Sequence, residues 1–353
     1  MTTYRAAVIG LTAIGAAPRQ PAPDPVLGEA MPHSHVAAYA ALPRTELVAV
    51  CDLVPALIEQ TKRDWASDLP ELHGYTDYRE LLARERIDLL SIVTPDHRHA
   101  QIVVDAVEAG VKGIFCEKPI ATTLADADRI IDACARGNVP LLIDHTRRWY
   151  ADYLEARRLI RAGAIGPVSR IVGTLGGPRA MLFRNATHLV DEICLFAESE
   201  PDWVIGVLDD EQAGYPPRYA GDGGRDPATD PGLSGIIHFE NGVRGLINGS
   251  KGTLGNFEFD VVGERGRIRI GTYVAEIWRL VDGDQPAVSQ LRVPPTTRGD
   301  MLAAIDELIC LIEHGGVGSS NGKDGRRVLS ILLGLLQSNA AGGAMVKFPI
   351  SDV

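Results

Sequence analysis

Hydrophobic and polar positions along the chain alternate in two successive rhythms. From Arg5 to Ile143, short apolar runs recur and each is followed by a stretch of helical spacing. The runs Arg5–Gly10, Leu47–Cys51, Ile87–Val93, Ile114–Cys116 and Pro140–Ile143 are short and nearly uniformly apolar, the pattern of strands buried on both faces. Between them the spacing predicts a helix over His35–Leu42 with Ser34 as its N-cap, and a polar helix containing Trp65. It predicts further helices ending near Arg86, over Ala100–Ala109 with Gly110 as the stop, and over Leu124–Arg136. Strand and helix in this alternation predict a doubly wound parallel sheet, a Rossmann domain, over residues 1–145.

From about Pro167 the rhythm changes. Val168–Leu175, Trp203–Leu208, Leu233–Glu240, Val243–Ile247, Phe257–Val262, Arg267–Ile270 and Ala275–Leu280 read as strands, with Asn241-Gly242 as a tight hairpin turn. They predict a second, α+β domain over 146–353: a large open, mainly antiparallel sheet with one face packed on helices and the other available as a subunit interface. Two closing helices, Met301–Glu313 and Gly325–Ala341, carry apolar residues at core-packing spacing. Two stretches fit neither rhythm. Residues 16–32 hold five prolines and read as an insertion lengthening the first strand-to-helix loop; 209–231 is a Gly, Pro and Asp loop too long for a plain connection.

Composition narrows the function. The 353 residues are 45% hydrophobic and 23% charged, with a formal charge of −11 and no basic cluster, which argues against nucleic acid and anionic membrane as partners. The chain runs from Met-Thr-Thr-Tyr-Arg straight into a strand, and no apolar run reaches the roughly 18 residues a membrane span needs. Five widely spaced cysteines, mostly inside apolar runs, read as reduced core residues; together these features predict a cytoplasmic protein. His33 and His35 match no metal spacing, and no metal is assigned. No G-x-S-x-G, P-loop or His-Glu-x-x-His occurs, so hydrolase and kinase readings lack support.

In an open parallel sheet, ligands sit at the carboxyl ends of the strands, and chemistry-bearing residues collect there in this sequence. Gly10-Leu11-Thr12-Ala13-Ile14-Gly15 matches the dinucleotide fingerprint at its first and third glycines, with Thr12 in place of the second. Asp52 ends the second strand, where an acid accepts the adenosine ribose hydroxyls and repels a 2′-phosphate. Its distance from the fingerprint exceeds the usual spacing of about 20 residues, which the insertion explains. Leu53 and Val54 follow with no Arg, so NAD is expected rather than NADP. Thr94-Pro95-Asp96 with His97 and His99, then Glu117-Lys118-Pro119, then His145, Arg147, Arg148 and Trp149 end the later strands. Farther on, Met181–Glu192 reads as a helix entrance with His188, Asp191 and Glu192 on neighbouring turns.

The fingerprint, Asp52, Thr94-Pro95-Asp96 with His99, and Glu117-Lys118-Pro119, in this order, resemble the Gfo/Idh/MocA oxidoreductases. The resemblance continues through Arg147-Arg148-Trp149, Gly163-Ala164-Ile165-Gly166 and His188-Leu189-Val190-Asp191 to Val346-Lys347-Phe348-Pro349. It implies NAD-dependent oxidation of a secondary hydroxyl of a sugar, inositol or related polyol, in a homodimer or homotetramer joined through the second sheet. The cofactor residues it implies are Gly10, Thr12, Ala13, Ile14, Gly15, Asp52, Thr94, Pro95, Asp96, His99, Glu117 and Lys118. Lys118 and His188 handle the proton, and Lys118, His145, Arg148, Trp149, Arg184, Asn185 and His188 face the substrate. The family's aspartate four residues before the histidine is Arg184 here. Either Asp191 orients His188 in its place, or Lys118 is itself the acceptor. Two other functions of such a scaffold stay open: an enzyme that retains NAD while eliminating or cleaving a glycosidic bond, and a non-enzymatic dinucleotide-binding regulator.

Overall fold

The computed structural model describes residues 2–18, 34–212, 214–221, 227–281, 285–293 and 300–352. The Pro-rich insertion beyond Pro18, including His33, and part of the 209–231 loop lie outside them. The elements are β1 (Tyr4–Ile9), α1 (His35–Ala41), β2 (Thr45–Cys51), α2 (Pro55–Asp64), β3 (His73–Tyr75), α3 (Tyr78–Arg84), β4 (Leu89–Ile92), α4 (His99–Glu108), β5 (Gly113–Cys116), α5 (Leu124–Gly137) and β6 (Leu141–Ile143). There follow α6 (Ala151–Arg161), β7 (Val168–Gly176), α7 (Ala186–Ala197), β8 (Pro201–Leu208), β9 (Leu233–Phe239), β10 (Arg244–Ser250), β11 (Phe257–Gly263), β12 (Gly266–Gly271), β13 (Val274–Val281), β14 (Gln285–Gln290), α8 (Asp300–His314), α9 (Gly322–Ala340) and β15 (Val346–Lys347). The chain divides into two compact units. One comprises residues 1–121, 125–149 and 297–323; the other comprises 122–124, 150–296 and 324–353.

The first unit is a six-stranded parallel sheet of order β3-β2-β1-β4-β5-β6, the doubly wound arrangement expected from the alternation. Strands β4, β5 and β6 are buried at every position and apolar but for Ser91. Ser34 caps α1 as expected, its hydroxyl accepting from the Ala37 N–H. Segment 297–323 returns to this unit. Met301, Ala304, Ile305, Leu308 and Ile309 of α8 join the core that holds Phe115, Leu142 and Trp149.

Ala13–Gly15 form a single 3-10 turn, with Gly15 packed against the Gly10 carbonyl of the same turn. Two local expectations need correcting. Trp65 lies just past α2, buried, with its indole N–H on the Ala16 carbonyl. Cys310 is exposed, while the other four cysteines are buried; none of the five forms a disulfide.

The second unit carries a nine-stranded sheet of order β14-β13-β12-β11-β7-β10-β9-β8-β15, antiparallel except for the parallel pair β7 and β10. Gly242, at φ +84°, turns the hairpin between β9 and β10 in the left-handed conformation that favours glycine. Alternate residues such as Phe257, Phe259 and Val261 face inward, and α7 is buried along nearly its whole length. The opposite face bears ion pairs such as Arg267–Asp260 and Trp203 stacked on His238. Among the described residues, no helix is long and apolar enough to cross a membrane.

Candidate active site

In the first unit, five strand ends deliver the expected residues to one edge of the sheet. β1 ends at Gly10, whose φ of +97° lies in the left-handed region. A Cβ there would stand 2.4 Å from the Val93 carbonyl at the end of β4, so only glycine fits this turn. The Leu11 N–H donates to Asp52 Oδ2 at 2.9 Å and the Val54 N–H to Oδ1 at 2.9 Å. Asp52 therefore fixes the fingerprint turn from the neighbouring strand. Leu53 beside it is 79% exposed, and no cation adjoins the acid in sequence.

Beyond β4, Thr94 Oγ1 is buried and makes no hydrogen bond within the protein, a donor-acceptor left for a bound group. Asp96 is buried at the start of a 3-10 turn that runs into α4. His99 is fully buried and latches two loops: one ring nitrogen meets the Thr94 carbonyl at 2.9 Å, and the other meets the Pro119 and Ile120 carbonyls at 3.1 and 3.3 Å. Its expected place near the cofactor thus becomes a supporting one, because backbone oxygens occupy both nitrogens.

Beyond β5, Glu117 and Lys118 are each 7% exposed, the Lys118 N–H bonds to Glu117 Oε2, and the Lys118-Pro119 bond is cis. Beyond β6, Asp144 and His145 are buried. Arg148 donates to the Ser319 carbonyl, and the Trp149 indole N–H donates to Glu307 Oε2 at 2.6 Å. His145 Nδ1 lies 3.4 Å from Ser320 Oγ. These bonds from Arg148 and Trp149 anchor the segment between residues 307 and 319.

Burial, and next the Glu117 carboxylate, push the Asp144 carboxyl well above the usual carboxylate range; Lys118 acts against that rise. His35, fully buried on α1, faces both acids, with Nε2 3.5 Å from Glu117 Oε1 and 3.5 Å from Asp144 Oδ2.

In the second unit, His188 occupies the first turn of α7, half-buried, with Asp191 and Glu192 fully buried on the next turn. The loop leading to it is held by Asp230. Its carboxylate accepts the Phe183 N–H at 3.1 Å and the Arg184 N–H at 3.0 Å, and its carbonyl accepts Lys251 Nζ. Phe183 stacks on Tyr219 at 3.7 Å, and Asn185 Nδ2 donates to the Arg179 carbonyl. Arg184 is half-buried.

The family model described as "Oxidoreductase family, NAD-binding Rossmann fold" (GFO_IDH_MocA) matches residues 26–145. Over those residues the chain is similar to the Gfo/Idh/MocA oxidoreductases. It is 26% identical over 318 residues to the D-apiose dehydrogenase of Paraburkholderia graminis, spanning 85% of this chain and 82% of that one. Its fold matches an oxidoreductase domain protein from Kribbella flavida with a TM-score of 0.79 at 20% identity, over 99% and 100% of the two chains. It also matches scyllo-inositol dehydrogenase from Lactobacillus casei, crystallised with NAD(H) and scyllo-inositol, with a TM-score of 0.73 at 18% identity over 98% and 99%.

The sheet edge suits a dinucleotide such as NAD: a glycine turn with no room for a side chain, an acid at the end of β2, and a buried Thr94 hydroxyl that makes no hydrogen bond among the described residues. Sequence reasoning missed Asp230, Asp144 and the acid-facing role of His35. Each acts through a partner distant in sequence. Only Asp144, an acid closing an apolar strand as Asp52 does, carried a local signal.

Proposed function

We propose that this protein oxidises a secondary hydroxyl of a sugar, inositol or related polyol. Bound NAD+ supplies the hydride acceptor. Gly10, Thr12, Ala13, Ile14 and Gly15 line its pyrophosphate, Asp52 takes the adenosine ribose, and Thr94, Pro95, Asp96 and Glu117 border the nicotinamide half. His99 holds two of these loops together. Lys118 and His188 handle the hydroxyl proton. With Arg184 in place of the usual aspartate, Asp191, one turn along α7, is the acid left to orient His188. His145, Arg184 and Asn185 contact the substrate, and the face of the second sheet that carries Trp203 and His238 joins subunits.

The observation that supports this reading most is the buried Lys118 delivered by β5 to the same sheet edge as the Gly10–Asp52 cradle. The test is NADH formation, followed by absorbance, over a panel of sugars, inositols and sugar acids. Turnover of one class that falls by about a thousandfold or more in Lys118→Ala and in His188→Ala is the expected result. Full activity in both variants would remove them from the proton path. No turnover on any member despite calorimetric NAD binding would overturn the dehydrogenase reading.

A further inference from the structure

His35, Glu117 and Asp144 reach one point from α1 and from the ends of β5 and β6. Their facing atoms, one per side chain, all lie within 4.8 Å of one another, and Nε2 of His35 is 3.5 Å from an oxygen of each acid. All three side chains are buried, His35 completely and Asp144 to 1% exposure. The imidazole is fixed from behind: its Nδ1 meets Ser91 Oγ at 3.0 Å, Ser91 in turn bonds the buried Tyr39 hydroxyl at 3.0 Å, and Phe115 lies against the ring. That support aims Nε2 at the acids. Both oxygens of Asp144 are buried, and the Glu117 carboxyl lies within its reach.

The imidazole and the two buried carboxyl groups together offer one nitrogen and two oxygen donors, the mix a divalent ion takes. The two separations from His35 Nε2, 3.5 Å each, suit one, because donors about 2.1 Å from a common ion stand roughly 3.0–3.5 Å apart.

We propose that His35 Nε2, Glu117 and Asp144 bind one zinc ion. A His and two carboxylates form a common donor set for that metal, and the hydroxyl chain through Ser91 and Tyr39 supplies the outer support such a histidine needs. The ion pins Glu117 and, through the peptide bond to it, Lys118. The site stands apart from the substrate reading and holds or fails regardless of what the enzyme oxidises. Its ligands come from residues 35, 117 and 144, so no spacing rule could reveal it.

The whole chain, purified without affinity-tag histidines or chelator, is analysed for bound metals. It is then stripped with a chelator and titrated with Zn2+ by calorimetry, with Mn2+ as a second probe. The expected result is about one zinc site per chain, weakened at least about tenfold in Asp144→Asn and in His35→Gln with the circular dichroism spectrum unchanged. Absence of both native zinc and binding heat, or undiminished zinc affinity in the two variants, would overturn the site. Preferred binding of Mn2+ over Zn2+ would overturn the zinc assignment. Should either variant fail to fold, Co2+ added to the stripped wild-type protein decides: a ligand-field band displaced by Zn2+ supports the site, and its absence refutes it.

Discussion

The Leu11 N–H donates to the Asp52 carboxylate at 2.9 Å, joining the turn after β1 to the end of β2. The acid expected to choose between NAD and NADP therefore also shapes the turn proposed to receive the pyrophosphate. These two duties separate by substitution. Asp52→Ala loses both and should weaken NAD binding about 10–100-fold, the range for a hydrogen bond to a charged group. Asp52→Asn keeps an acceptor for Leu11 but removes the charge, so it should bind NAD more tightly than the alanine variant while narrowing the preference over NADP. Calorimetric titration of each variant with both dinucleotides checks this; equal affinities in the two variants would show that the turn contact is idle.

A second prediction concerns the latch made by His99. Removing the ring leaves the Thr94 and Pro119 carbonyls without their buried partner, and each such group costs about 1–3 kcal/mol. His99→Ala should lose about 2–4 kcal/mol in urea unfolding and should also bind NAD more weakly, because both loops border the cofactor edge. A stability loss with unchanged NAD affinity would make His99 a core residue and nothing more.

How much of this was legible beforehand depends on whether the signal was local. Ser34 announced α1 because an N-cap acts within three residues, and β4 to β6 announced themselves by unbroken apolar runs. β14 went unseen because all six of its residues are exposed at a sheet edge, and β3 because three residues carry no period. The pattern of α8 showed that it has a core face but not which core it enters. Likewise Arg148, Trp149 and His99 stand at strand ends, and the partners they hold, Ser319, Glu307 and Pro119, are too distant in sequence to be read from it.

Asp230 should matter to catalysis without touching substrate. It caps the Phe183 and Arg184 N–H groups, and those residues lead directly into the first turn of α7, where His188 sits. Asp230→Ala should speed amide hydrogen exchange at 183 and 184 by about tenfold to a hundredfold, corresponding to about 1.5–3 kcal/mol lost from charge-assisted bonds. It should lower kcat while leaving the NAD dissociation constant unchanged. Unaltered exchange at these two amides would rule out the capping role.

Asp88 gives the protein a measurable acid sensitivity. It lies just before β4, buried; burial by itself raises its pKa, but the Lys112 ammonium at 2.8 Å and the Arg5 N–H at 3.0 Å outweigh that and hold the carboxyl below its usual value. A depressed folded-state pKa means that the unfolded chain takes up the proton first. The stabilisation is therefore complete above the unfolded value of about 3.9 and is lost as pH falls through the lower folded value. Asp88→Asn should cost about 1–3 kcal/mol at neutral pH, the range for a hydrogen-bonded charge. Between about pH 5 and 8 the gap to wild type should stay constant, because both states keep Asp88 ionised there; below about pH 4 it should shrink. Urea unfolding of the two proteins across pH 3 to 8 checks this, and a gap that widens on acidification would reverse the sign assigned to this pair.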